Sequence, residues 1–582
     1  MDYQALLPSP CIRSLSTDDG DVLVLRSEQP LASHPVSIVH SFNDGRRSHP
    51  NRPLLVVPNG TGWRRYTWGE IGDMVDGLAQ GLLDSGVTGA VAIVSGPSVG
   101  HLVVSLAAQS IGLPVVPISP AYSIKAANLS QLLTLASIVR PEVVFADSAE
   151  YLPAVQAIGA RICLTVTQVE GMTPLPQFAA PPTPAVDEAR RNLRGEMISK
   201  ILFTSGSTGT PKGVVNTHAM LSANQQQLRQ VWPFLTLEPP IMLDWLPWSH
   251  TFGANHNLNL VLANGGTYWL DSGTPDTIGQ TVRNLNDARP NLYLNVPLGY
   301  SRLADHLERD PAAARRFFGH VRLLCCAGAA MDPGVWKRLQ EMAGRYDSTT
   351  FFTSSWGMTE TSPACTSAYF PTNDPGNIGV PLPGIEVALR RPDTAAPTTE
   401  MYVRGPNVAD RYLTLNGEIP AVDDAGWLRT GDAATLVDAH DAGAGLHFDG
   451  RLAENFKLSS GTFVNTARVR SKLLAAGDGL IRHVVLCGHD TDAVSAILWL
   501  EGDCSLTSST KDKLRAALSA AAADCGNSQR IARVVIAPTP PELASGEITD
   551  KGYINQARVR AQRPELVDLV IRGEDPAVIH SP

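Results

Sequence analysis

Thr204-Ser205-Gly206-Ser207-Thr208-Gly209-Thr210-Pro211-Lys212-Gly213 is a run of hydroxyl residues and glycines that carries one proline and a single lysine near its end. Glycines let a backbone approach a ligand closely, and hydroxyls with main-chain N–H groups supply donors to phosphate oxygens. Lys212 adds a positive charge. The apolar triplet Ile201-Leu202-Phe203 leads directly into the run, so the segment reads as a strand ending in a phosphate-gripping loop. A Walker A loop is excluded, because Lys212 stands between Pro211 and Gly213 and no GK[ST] opens a helix. A Ser/Gly cluster by itself also describes an ordinary surface turn. Its meaning therefore depends on the motifs downstream of it in the chain.

Around this loop lie 582 residues, 43% of them hydrophobic, with a net charge of −9. Such a chain exceeds one compact domain, so at least two are expected. The mild negative charge argues against a broad basic face for nucleic acid and leaves an anionic ligand to local groups. Eight cysteines are scattered without a CxxC spacing, against both a zinc ribbon and a disulfide framework, and a reducing cytoplasm is the expected setting. Met1-Asp2-Tyr3-Gln4 lacks a basic patch leading into an apolar stretch, so no secretory signal is expected. The apolar region His101 to Ile118 is broken by polar residues, Gly112 and Pro114, and reads as a helix feeding a short strand rather than a membrane span.

The short apolar runs Val91 to Val94, Val115 to Ile118, Val143 to Ala146 and Ile162 to Val166 alternate with helical spacing. This predicts an α/β fold, a large layered N-terminal domain with several sheets flanked by helices. Thr173 to Pro184, rich in proline, reads as a surface connection before a new unit near Ile198. Asp438 to Gly445, small and acidic, marks the candidate boundary region, after which about 130 residues carry strands at Ile481 to Cys487, Ala493 to Leu500 and Ala532 to Ile536 and a helix at Lys511 to Ala523. These predict a small, mobile α+β C-terminal domain.

The loop resembles the signature phosphate loop of the adenylate-forming superfamily, which includes acyl- and aryl-CoA synthetases, luciferases and peptide-synthetase adenylation domains. Further motifs resemble that family in the same order. Cys326-Ala327-Gly328-Ala329-Ala330 is similar to its adenine loop, so Gly328 and Ala329 are expected against the base. Trp356-Gly357-Met358-Thr359-Glu360 is similar to its aromatic-Gly-x-Thr-Glu motif, with Trp356 and Gly357 beside adenine, Thr359 on phosphate and Glu360 on magnesium. Trp427 to Asp432 matches the aromatic-x-x-Thr-Gly-Asp pattern whose aspartate holds ribose hydroxyls, and Gly450-Arg451 resembles the pair before the hinge whose arginine also reaches ribose. Gly546 to Ile554 occupies the place of the catalytic-lysine loop and offers Lys551, although Asp550 precedes it and Gly552-Tyr553 depart from the common form.

The resemblance implies an ATP-dependent ligase. Residues 1–450 would bind ATP and the acid, 451–453 would be the hinge, and 454–582 a lid carrying Lys551. Lys551, Thr208 and Glu360 are the catalytic expectations. Thr204, Ser205, Gly206, Ser207, Thr208, Gly209 and Lys212 would grip the phosphates, and Thr208 and Glu360 would hold Mg²⁺. ATP, Mg²⁺ and CoA are implied. Ala453 stands where the family commonly keeps Asp or Lys.

Asn455 to Val464, Lys551 to Gln556 and Leu246 to Asn255 resemble the feruloyl-CoA synthetase subgroup. His250 would gate the acid site, and Phe252, Tyr268 and Trp269 are possible walls of a flat apolar slot. A small aromatic carboxylic acid is the expected partner. Ferulate, another hydroxycinnamate, a benzoate or a medium-chain fatty acid all remain open, as do transfer to a carrier-protein phosphopantetheine, a catalytically silent relative, and the oligomeric state.

Overall fold

The structure is a computed structural model described for residues 2–16, 21–124, 128–205, 211–329, 331–346, 348–391, 399–460, 462–477, 479–502, 507–523, 530–542, 545–548 and 554–582. Of the expected site residues, Gly206, Ser207, Thr208, Gly209 and Lys551 lie outside the described residues, as does the side chain of Ser205.

The predicted short strands form as Val91–Ile93, Val115–Pro117, Val143–Phe145 and Ile162–Thr165, parallel neighbours in one sheet. Parallel pairing needs crossovers, and helices supply them. Val99–Ser110 is one such helix, opened by the Ser98 hydroxyl, which accepts from the His101 N–H. It is buried from Gly100 onward, which is why its sequence looked apolar enough to raise the membrane question. The helix Trp68–Asp84, which enters this sheet from the strand Gly62–Thr67 of another sheet, begins with a capping box between Thr67 and Glu70.

Three readings need correction. Thr173 to Pro184 is not a plain surface loop: Thr173–Pro174 adds an edge strand, and Leu175–Phe178 forms a helical turn whose Leu175 and Phe178 pack on the core. No new unit begins at Ile198 either, because the strand Ile198–Ser205 joins the same sheet beside Val115–Pro117. Likewise, Asp438 to Gly445 is the connection of a hairpin between Leu428–Leu436 and Leu446–Arg451, inside an eleven-stranded sheet. Its glycines and acids serve a turn, with the Asp441 carboxylate accepting from the Gly443 N–H.

That larger sheet also carries Leu292–Asn295, Leu323–Cys326 and Phe351–Gly357 as parallel neighbours. A third sheet pairs Ile241–Asp244, Thr267–Leu270, Pro53–Asn59 and Gly62–Thr67. Past Arg451 the chain builds a separate four-stranded sheet from Ile481–Cys487, Val494–Leu500, Ile531–Ile536 and Ile579–His580, flanked by Thr466–Ala476, Ser508–Ala522 and Pro564–Arg572. The two apolar clusters on this sheet draw only on residues after 455. The architecture is thus mixed α/β with several sheets flanked by helices, a large N-terminal and a small C-terminal domain.

Candidate active site

The strands Ile198–Ser205 and Pro211–Thr217 pair antiparallel, with Thr204 opposite Lys212 and Ser205 opposite Pro211. The described ends of the phosphate-loop candidate, Thr204–Ser205 and Pro211–Gly213, are therefore paired strands. Arg411–Thr414 pairs on the outer side, setting Tyr412 opposite Val214, and the Lys212 ammonium stands 5.2 Å from the centre of the Tyr412 ring. The Tyr412 hydroxyl donates to Glu360 Oε1 at 3.1 Å. Lys212, Tyr412 and Glu360 thus form a connected row from the paired strands to the Thr359–Thr361 turn.

Glu360 is buried, and burial pushes its carboxyl above the usual range, while Tyr412 and the charge of Arg451 pull it back. The Thr359 carbonyl accepts from Asn216 Nδ2 at 3.3 Å. Gly357 is required by close approach: a Cβ there would lie 1.8 Å from the Pro363 carbonyl oxygen. Among the described residues no three His, Cys, Asp or Glu side chains stand together as a metal cage. A cation at Glu360 would share it with oxygens from a ligand, which suits the way Mg²⁺ rides on phosphates.

The second grouping is Trp356, Asp432 and Arg451. Trp356 Nε1 donates to Asp432 Oδ2 at 2.9 Å, and Arg451 Nε lies 3.3 Å from Oδ1, an ion pair placed by the cross-strand register of Asp432 with Arg451. Burial raises the Asp432 carboxyl, and Arg451 and Trp356 oppose the rise. Glu360 lies within the electrostatic reach of both Asp432 and Arg451, so the two groupings share one region. Gly328 and Ala329 are exposed just past the carboxyl end of Leu323–Cys326, with Gly328 at φ +88°. The Gly357–Glu360 segment leaves the neighbouring strand at the same end. Ligands of open α/β sheets bind in that position.

The segment expected to line the acid site begins at Leu246 and is anchored by Asp244, which sequence reading missed although an aspartate closing the apolar Ile241-Met242-Leu243 strand was a visible signal. Asp244 accepts from the Leu246 N–H at 2.9 Å, Asn257 Nδ2 at 2.7 Å and the Tyr268 hydroxyl at 2.8 Å, and burial pushes its carboxyl up to about 6. Trp248 Nε1 donates to the Tyr268 hydroxyl. Tyr268 is fully buried in this anchor, and Trp269, pointing the other way along the strand, packs edge-on to Trp63 in a different core. Trp269 therefore faces away from the core that holds Phe252, which corrects that expectation for Trp269, whereas Tyr268 lies in the same apolar cluster as Phe252. Phe252 opens a π-helical stretch, Phe252–Leu258, and meets His256 edge-on at 5.5 Å. His250 is half-buried, its N–H on the Pro247 carbonyl.

The chain matches the AMP-binding enzyme family model over residues 42–413, well over half its length. The chain belongs to that family. It is 30% identical over 278 residues to malonate–CoA ligase ACSF3, mitochondrial, of Xenopus laevis, covering 42% of this chain and 46% of that protein. It is 25% identical over 498 residues to the hybrid PKS-NRPS synthetase prlS of a fungal species (strain NRRL 50135), covering 78% of this chain and 11% of that one. The chain spans about half the length of the first curated relatives it matches. Among solved structures, the anthranilate CoA ligase AuaEII in complex with anthranoyl-AMP shares the fold at a TM-score of 0.69 and 18% identity, covering 92% of this chain and 98% of that one. Among the described residues no helix is long and apolar enough to cross a membrane.

Proposed function

We propose that this AMP-binding family member is an ATP-dependent carboxylate:CoA ligase that forms an acyl adenylate and then an acyl-CoA thioester. The observation that carries the reading is the row Lys212–Tyr412–Glu360 beside the Trp356–Asp432–Arg451 grouping, which offers phosphate and ribose contacts in one region. Thr204 and Lys212, with the loop between them, would hold the departing phosphates. Asp432 would accept from the ribose hydroxyls, with Arg451 alongside. Gly328, Ala329 and Trp356 would border the base. Mg²⁺ at Glu360 would neutralise phosphate charge. Lys551 would stabilise charge on the α-phosphate as the acid carboxylate displaces pyrophosphate. CoA thiol then attacks the adenylate carbonyl and expels AMP.

In this reading residues 1–450 bind ATP and acid, 451–453 swivel, and 454–582 form a mobile lid in a cytoplasmic enzyme. His250 and Phe252 border the acid. The resemblance of Leu246 to Asn255 to the feruloyl-CoA synthetase subgroup favours a hydroxycinnamate such as ferulate. The named acids of the relatives, malonate and anthranilate, widen the range of acids to be tried. Similarity to prlS over most of this chain supports the second reading, loading of a carrier-protein phosphopantetheine.

The test is a panel of hydroxycinnamates, benzoates, malonate and fatty acids with ATP and CoA, read as AMP and thioester. A hydroxycinnamoyl-CoA product is expected. Acid-dependent pyrophosphate release without free thioester favours the carrier reading, and no release with any acid defeats both.

A further inference from the structure

The strand that leads into the phosphate loop carries a lysine that none of the chemistry above uses. Lys200 is 6% exposed, and among the described residues no carboxylate pairs with it; burial draws its ammonium down to about 8. On one side it borders a small cavity with His101, Gln109, Trp248 and Asn259. On the other, Lys200 Nζ donates to Asn255 Oδ1 at 3.0 Å.

That contact has a direction. An ammonium can only donate, so Asn255 must turn its oxygen to Lys200 and its amide nitrogen away. Asn255 Nδ2 then donates to Asn216 Oδ1 at 2.9 Å and to Thr251 Oγ1 at 3.1 Å. Asn216 is turned the same way, and its Nδ2 donates to the Thr359 carbonyl and to Ser362 Oγ, each at 3.3 Å. Gln225 Nε2 holds the Asn255 backbone carbonyl at 2.9 Å. Asn255 and Asn216 are both fully buried, so no solvent competes for these groups. The row starts on the phosphate-loop strand, crosses the acid-site segment and ends on the turn that carries Glu360.

We propose that Lys200 is a positioning residue for the Thr359–Glu360 turn, acting through the oriented amides of Asn255 and Asn216. Resting on the reading that this turn meets Mg·ATP, the proposal assigns the buried ammonium the task of fixing which way each amide points. With the orientation lost, an amide oxygen faces the Thr359 carbonyl, two acceptors oppose each other, and the turn shifts.

The deciding variant is Asn255→Asp. Its carboxylate still accepts from Lys200 and gives the buried cation a partner, so folding survives. It cannot donate to Asn216, which must then turn its own nitrogen back and its oxygen toward Thr359. The readouts are thermal stability and the dissociation constants of Mg·ATP and of the turned-over acid, by calorimetry on the full chain. Expected are a melting temperature at or above wild type, Mg·ATP binding weakened about tenfold, and acid binding within twofold. Unchanged Mg·ATP binding overturns the proposal, and so does equal weakening of both ligands. Should Asn255→Asp fail to fold, Lys200→Met removes the donor that sets the direction, and the same split between ligands is required of it. A wild-type chain that binds no Mg·ATP overturns the functional reading itself and the proposal with it.

Discussion

Asp244 shows what one buried carboxylate costs and what it holds. Three donors converge on it, yet burial still pushes it to about 6. A folded-state value raised above the unfolded one means stability present at low pH and lost as pH rises through about 6. The shift corresponds to about 3 kcal/mol. In denaturant titrations of wild type and Asp244→Asn, the difference between the two should therefore move against wild type by that order between about pH 4 and pH 7; a pH-independent difference contradicts it. Asp432 makes a different case, since its oxygens meet Trp356 and Arg451 at the candidate ribose site. Asp432→Asn should weaken Mg·ATP binding about tenfold, the worth of one charged hydrogen bond, with the melting temperature little changed. Asp432, Glu360 and Arg451 could be singled out as candidates because short motifs keep their residues in adjacent letters. Tyr412, Asn216 and Lys200 were not, because their partners lie far along the chain and only register brings them together.

The paired strands Ile198–Ser205 and Pro211–Thr217 and the turn at Thr359–Thr361 are the elements that carry the candidate site residues. Gly357→Ala drives a Cβ into the Pro363 carbonyl, so the turn must shift. A loss of about 1–3 kcal/mol is expected, together with weaker Mg·ATP binding; a variant of native stability and affinity would show that the turn has slack. Strands and helices themselves were readable from apolar runs, and Ile481–Cys487 appears with the predicted bounds. Composition misled where turns resemble linkers. Asp438 to Gly445 has the small, acidic letters of a domain boundary, but the same letters build a hairpin turn. Alternation along Thr267–Leu270 placed Tyr268 and Trp269 on opposite faces, which a list of aromatic residues does not convey.

Ion pairs join the large and small domains. Arg302 meets Glu501 at 2.6 Å and Arg482 meets Asp276 at 3.8 Å. A partly exposed pair of this kind contributes up to about 1 kcal/mol, a few-fold in the balance of two arrangements. If the proposed two-step reaction uses two domain arrangements, Arg302→Glu should change the ratio of adenylate formation to thioester formation by that factor, and adding Glu501→Arg should restore it; rapid-quench measurement of the two half-reactions reads both. The chain leaves the large sheet immediately after Arg451, whose 61% exposed side chain pairs with the buried Asp432. Twist at the proposed hinge, 451–453, would therefore be delivered to that ion pair as torque. In the proposed reaction the connection would work as a gear more than a loose tether: the grip on Asp432 would resist rotation of the lid, and rotation of the lid would strain the grip.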